Sequence, residues 1–202
     1  MHRFAAAAAA VALAAAVTAA AEEDAFDKAK AAATPTEGLS TFLTKFVGPC
    51  TKESGPQCKK AAEDYRRQSK GKKLYVSIED AAPIVAIGGK GDGGEVTLNV
   101  TPFFAGGEYA LTGGAPGRTD AAGNPVMPLL RVSGTAPDGD VDRLARMLQA
   151  HQLKIEVVFS PDSTWSLSKK DGSTIQGVKA KLLALRISMS RTGDTVAVWT
   201  GR

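Results

Sequence analysis

The chain has 202 residues and a formal net charge of +4, from 25 basic and 21 acidic side chains. This length is enough for one hydrophobic core and short for two. Charges of both signs are interspersed along the chain, which argues against a dedicated nucleic-acid-binding protein, since such proteins concentrate basic residues on one face or stripe. We therefore expect one globular domain that does not bind nucleic acid.

The first 21 residues have the three-part pattern of a secretory signal peptide. Arg3 precedes an uncharged, alanine-rich run, small residues stand at Ala19 and Ala21, and Glu22 begins an acidic stretch. The pattern predicts cleavage after Ala21 and a secreted or periplasmic protein. The alternative is an uncleaved membrane anchor, because the run 4–21 reaches the lower limit of about 18 residues for a spanning helix. We expect no membrane span after cleavage, since no later apolar run approaches that length.

Helices are predicted before the strands begin. Residues 22–36 form an exposed lead-in, either a short helix or a frayed tail. The apolar residues between Leu39 and Phe46 then have helical spacing, and Gly48 ends this helix. A second helix is predicted over residues 59–69.

The two cysteines, Cys50 and Cys58, lie in the corner of this helical hairpin. In an oxidising compartment two cysteines at this spacing are expected to form a disulfide. The alternative is a metal pair, but the spacing is not that of a zinc site, and His151 lies far along the chain. We predict the disulfide and no metal.

From residue 72 onward apolar and polar residues alternate, which predicts strands with one buried face. The longer strands are predicted at 74–79, 96–101, 153–159 and 183–189, and the shorter ones at 84–87, 109–111, 129–133, 165–167 and 196–199. A phase change near Lys181 predicts a β-bulge or a bend. One inserted helix is predicted over 141–148, with Asp140 as its N-cap.

These elements predict an α+β fold. Seven to nine antiparallel strands would roll into a barrel or sandwich, with a disulfide-linked helical hairpin before it and one helix inserted. The predicted organisation is a signal peptide (1–21), a lead-in (22–36) and one domain (37–202) made of the hairpin (37–71) and a β-rich part (72–202).

Two sets of residues are candidates for binding. Large aromatic side chains could line a pocket at a barrel mouth, although they could equally fill the β core; they are Phe103, Phe104, Tyr109 and Trp165. Basic residues on and after the second helix could meet an acidic polymer or lipid, although a solvated helix face explains them as well; they are Lys59, Lys60, Arg66, Arg67, Lys70, Lys72 and Lys73. Trp199 is predicted to be a core plug.

Three further patterns have structural explanations. The glycine-rich run 88–94 resembles a phosphate-binding loop but is followed by a strand, which favours a hairpin turn. Asp138, Asp140 and Asp142 have the spacing of a calcium loop, but carboxylates at a helix start need no metal. The long loop from Gly113 to Pro125 cannot be core and is a candidate functional loop.

No catalytic motif is recognised in the chain. Neither G-x-S-x-G nor H-E-x-x-H occurs, so we assign no catalytic residue and no cofactor. The expected function is a non-enzymatic module that binds a ligand or protein of the cell envelope. The alternatives are a small envelope hydrolase whose carboxylates converge in the fold, and a structural or inhibitory protein that acts through a surface loop.

Short strings of the chain resemble a group of exported bacterial proteins classed only as a domain of unknown function. They are the stretch from Leu39 through the cysteine pair, Thr101–Phe104 with Tyr109–Thr112, and Ile175–Ala180. The resemblance implies export and a single domain, and it implies no activity, cofactor or catalytic residue.

Overall fold

The computed structural model describes residues 21–48, 55–114, 116, 118–121, 123, 125–169 and 171–201. The helices in these residues are α1 (21–31), α2 (Leu39–Val47), α3 (Gly55–Ser69) and α4 (Val141–Gln149). The strands are β1 (Thr34–Pro35), β2 (Leu74–Ile78), β3 (Val85–Lys90), β4 (Glu95–Val100), β5 (Phe103–Gly106), β6 (Tyr109–Thr112), β7 (Arg118–Thr119), β8 (Pro125–Val126), β9 (Leu130–Thr135), β10 (Leu153–Ser168), β11 (Thr174–Met189) and β12 (Thr195–Thr200).

The predicted α+β class is confirmed, with one large and mostly antiparallel sheet. Its strand order is β1-β2-β10-β11-β12-β9-β4-β3, and β6 joins at β11 and carries β5. Two contacts are parallel, β1 with β2 and β6 with β11. Strands β7 and β8 form a separate short pair.

Strands β10 and β11 are longer than predicted, at 16 residues each. The segments 153–159 and 165–167 belong to one strand, because the chain passes Pro161 with a shift of register and continues to pair. The predicted bulge is present. Val158 pairs with Ala184 and Phe159 pairs with Leu182, so Leu183 is the extra residue, two positions beyond Lys181.

The sheet rolls back on itself. The amide of Ala81 donates to the carbonyl of Leu153 at the start of β10 (2.9 Å), and the amide of Val85 at the start of β3 donates to Ala81 (2.9 Å). Strands β10 and β3 are five positions apart in the sheet, a separation of about 24 Å if the sheet were flat. Ala81 is hydrogen-bonded both to the first residue of β10 and to the first residue of β3, so these two strand ends lie close together. The sheet must therefore curl.

The main core lies on the inner face of the curled sheet, under α2. The predicted apolar stripe of α2 is buried, as are the inward residues of the strands beneath it. Phe42 is at the centre, with its ring centroid 5.5 Å from that of Phe46 and 5.3 Å from that of Phe159. Helix α2 ends as predicted at Gly48, which has the positive φ of 67° that favours glycine.

Residues 22–36 are not simply an exposed lead-in. They include most of α1, and Phe26 of this helix is completely buried in a second cluster with Val158, Ala184 and Val198. The physical reason is that β10 and its neighbours carry apolar residues on both faces, as Val157 and Val158 show. An apolar outer face needs a cover, and α1 provides it.

Some predictions lie outside the described residues. Residues 1–20 and Cys50 are among them, so the signal peptide and the disulfide stay predictions. Cys58 lies in the first turn of α3, which begins at Gly55, four residues before the predicted start.

Replacing Gly134 with alanine should lower the free energy of unfolding by about 2 kcal/mol. Gly134 is the residue at which β9 pairs with β12, opposite Ala197. A Cβ there would collide with the carbonyl oxygen of Val196 and lie 2.7 Å from the Cβ of Ala197. Urea unfolding should show the loss, whereas Gly89→Ala, whose Cβ meets only Thr97 at 4.0 Å, should cost far less. Equal effects of the two substitutions would contradict this account.

Candidate functional site

A cleft opens where two strands share one edge of β11. Strand β6 pairs with Gln176–Lys179, and β12 pairs with β11 from Ala184 to Ser188. Residues 180–183 lie between these two stretches and pair with neither strand. The amide of Gly201, just beyond β12, still donates to the carbonyl of Leu183 (2.8 Å), so the opening beside β11 lies at residues 180–182.

The wall of this cleft is mainly apolar. Leu182 of β11 is buried, and Leu130 of β9 and Trp199 of β12 are partly buried and pack against the main core. Together with Ala180 they line a cavity of about 440 Å³. This volume is within the range of about 300–1,000 Å³ that is common for small-molecule sites. Trp199 is therefore a wall of the cleft as well as a contact of the core.

The rim of the cleft is positively charged. Lys179, Lys181 and Asp162 lie there. The ammonium group of Lys179 is 2.9 Å from the carboxylate of Asp162, and that of Lys70 is 3.7 Å from it. The hydrogen bond from Lys179 holds the pKa of Asp162 below its usual value, so this carboxylate is ionised. Lys181 is exposed and has no ion-pair partner in the described part of the chain.

The long loop predicted from Gly113 to Pro125 begins at this cleft. Gly113 and Gly114 are among its lining residues. Further along, β7 and β8 pair with each other. Residues 115, 117, 122 and 124 are outside the described residues, so the role of the loop as a functional element stays a prediction.

The four aromatic residues of the predicted pocket lie on two faces of the sheet. Phe104 is buried in the inner core, and Tyr109 packs against it. Phe103 and Trp165 alternate to the outer face, where the indole nitrogen of Trp165 donates to the hydroxyl of Thr112 (2.9 Å). The four aromatic side chains therefore do not line one cavity, because successive side chains of a strand point to opposite faces of the sheet.

The basic residues of the predicted patch do not all belong to one surface. Arg66 donates to the carbonyls of Phe46 (3.1 Å) and Val47 (3.2 Å), and so caps the C-terminus of α2. Lys70 lies beside the cleft, where it forms an ion pair with Asp162. The remaining members are exposed, namely Lys59, Lys60, Arg67, Lys72 and Lys73.

The three aspartates with calcium-like spacing each face a basic side chain. Asp138 pairs with Arg143, Asp140 with Arg146 and Asp142 with Lys90. Asp140 also caps α4 as predicted, accepting from the amide of Arg143 at 2.9 Å. No group of three metal-ligating side chains occurs among the described residues.

Two other sequence candidates have structural roles. The glycine-rich run 88–94 joins β3 to β4 through a short 3-10 turn, as the hairpin interpretation predicts. His151 has a φ of 55° just after α4, and its Nδ1 lies 2.7 Å from Asp80.

A polar cluster under α1 was not predicted from the sequence. Glu156, only 3% exposed, accepts hydrogen bonds from Tyr75 (2.5 Å), Lys30 (2.6 Å) and Arg186 (2.7 Å). Burial alone would raise the pKa of Glu156, but hydrogen bonds from Arg186, Lys30 and Tyr75 outweigh it and hold the pKa at about 2. Arg186 also pairs with Asp27 of α1 (3.0 Å). The cluster fastens α1 to the sheet. Its donors, Tyr75, Lys30 and Arg186, all hydrogen-bond to carboxylates of the protein itself.

The fold and the cleft define an α+β protein built on one curled, mostly antiparallel sheet with a lateral opening. No helix in the described part of the chain has both the length and the apolarity to cross a membrane. The chain belongs to the DUF6066 family, a family of unknown function whose model matches residues 1–202. No curated protein matches the chain, and no solved structure does. The resemblance to a domain of unknown function is thereby confirmed.

Proposed function

We propose that this protein is an exported, non-enzymatic module that binds a ligand in the cleft between β6 and β12. The observation that carries the proposal is the apolar wall of Leu130, Leu182 and Trp199 around a cavity of about 440 Å³. Pockets with an apolar wall and a few polar groups at the edge are the usual form of small-molecule sites.

The polar groups of the cleft favour binding over hydrolysis. A glycoside hydrolase needs two carboxyl groups about 5–10 Å apart. Asp162 is the one carboxylate among the described residues of the cleft, and Lys179 and Lys70 both face it. A carboxylate held ionised by two cations is a poor general acid.

Export is supported by the leader pattern and is compatible with the packing of α1. Cleavage after Ala21 would retain Phe26 and the contacts of Glu23, whose carboxylate accepts from Thr195 at 2.6 Å. The mass of the protein recovered from the periplasm checks this directly. We expect a chain that begins at Glu22 and is two hydrogens lighter than its reduced form, as a Cys50–Cys58 disulfide requires.

The cleft is tested by native mass spectrometry of the protein purified gently from its own compartment. We expect extra mass that is lost on denaturation, and we expect Leu130→Glu to abolish it by placing a charge against the apolar wall. Leu129→Glu is the matched control, since Leu129 is 55% exposed and is not among the residues that line the cleft. Ligand retained by a folded Leu130→Glu protein would refute binding in this cleft.

A further inference from the structure

We infer that the ligand of the cleft is a single-chain amphiphile with an anionic head group. This inference rests on the proposed function and adds the chemistry of the ligand. The alkyl chain would lie against Leu130, Leu182 and Trp199, and the head group would lie at the rim near Lys181 and Lys179.

The charges at the rim decide the sign of the head group. The ammonium groups of Lys70 and Lys179 lie 3.7 and 2.9 Å from the carboxylate of Asp162, and Lys181 also lines the cleft. Lys179 and Lys70 neutralise that carboxylate, and Lys181 has no ion-pair partner among the described residues. An anion at this rim gains attraction from a lysine that is still available, whereas a cation would be repelled.

The position of the charges decides the shape of the ligand. The lysines are at the edge of the cleft, and its wall offers alanine, leucine and tryptophan side chains. A fully polar anion would make no contact with the apolar wall, and a fully apolar molecule would leave Lys181 without an anionic partner. A molecule with one apolar end and one anionic end matches both parts.

Calorimetric titration with three ligands of equal chain length tests the inference. The ligands are decyl phosphate, decanol and decyltrimethylammonium, each kept below the concentration at which it aggregates. We expect decyl phosphate to bind about fivefold more tightly than decanol, and the cation to bind most weakly.

The residue-level test is Lys181→Glu in the full mature chain. We expect it to weaken decyl phosphate binding by about tenfold and to leave decanol binding within twofold of the unsubstituted protein. Lys59→Glu makes the same charge change on an exposed lysine of α3 and should alter neither affinity.

The outcomes separate this inference from the function on which it rests. Equal affinities for the phosphate and the alcohol, unchanged by Lys181→Glu, would overturn the anionic head group and leave a binding cleft. No binding of any of the three ligands would overturn the inference together with the proposed apolar site. An equal loss with Lys59→Glu would show a general charge effect and would also overturn the role of the rim.

Discussion

Replacing Glu156 with alanine should lower the free energy of unfolding by about 2–4 kcal/mol. The substitution leaves Arg186, 17% exposed, and Lys30 without the carboxylate that both contact. Loss of one partner from a fully buried pair costs about 3–5 kcal/mol, and we expect somewhat less here because Lys30 is 36% exposed. Urea unfolding followed by circular dichroism measures the change.

The dependence of the unfolding free energy on pH tests the role of Glu156 separately. Its pKa falls from an ordinary 4.5 to about 2 in the folded protein. A lowered folded pKa stabilises the protein above the unfolded value, so this contribution is complete above about pH 5 and is lost as the pH falls from 4.5 towards 2. The expected loss is about 2–3 kcal/mol. Glu156→Ala should flatten this part of the profile.

The exposed Glu63 of α3 provides the control for this substitution. Glu63→Ala should change the unfolding free energy by less than about 0.5 kcal/mol and keep the acid-dependent loss. If Glu156→Ala retained both the stability and the pH profile of the original protein, the cluster would not be what fastens α1.

Replacing Phe26 with alanine should lower the free energy of unfolding by about 3–4 kcal/mol. Phe26 is completely buried between α1 and the outer face of the sheet, and the guanidinium of Arg186 lies 4.5 Å from its ring centroid. The substitution removes buried apolar surface and also the ring that faces this cation. Hydrogen exchange should show faster opening of α1 than of the inner core.

Leu129→Ala is the control for Phe26→Ala. It also truncates a large apolar side chain, but Leu129 is 55% exposed, so we expect a change within about 0.5 kcal/mol. An equally small effect of Phe26→Ala would mean that α1 contributes no stability and that residues 22–36 behave as the exposed lead-in expected from the sequence.

Local patterns were sufficient for many of the secondary-structure elements. The stripe from Leu39 to Phe46, the cap at Asp140 and the alternation in β2, β4 and β10 follow from spacing and from side-chain hydrogen bonds within a few residues. The phase change near Lys181 likewise predicted a bulge close to its actual position.

The cleft could not be predicted in this way. Its wall combines Leu130, Leu182 and Trp199, which come from three strands. These residues come together because β6 and β12 share one edge of β11. The contact between β6 and β11 is parallel, and parallel strands are not joined by a short hairpin turn that could be recognised in the sequence. The residues of the predicted aromatic pocket are separated for a related reason: Phe103 and Phe104 are neighbours along the chain, but the pleat sends their side chains to opposite faces.

The α+β class, the apolar stripe of α2 and the capped helix α4 follow from local sequence patterns, because each depends on residues a few positions apart. The strand order, the covering of the outer face by Phe26 and the pairing of Glu156 with Lys30 and Arg186 arise only in the folded protein. Such contacts join distant residues: Lys30 and Glu156 are 126 positions apart, and Asp27 and Arg186 are 159 apart. They form only when the curled sheet brings the separate segments together, and no local pattern encodes that pairing.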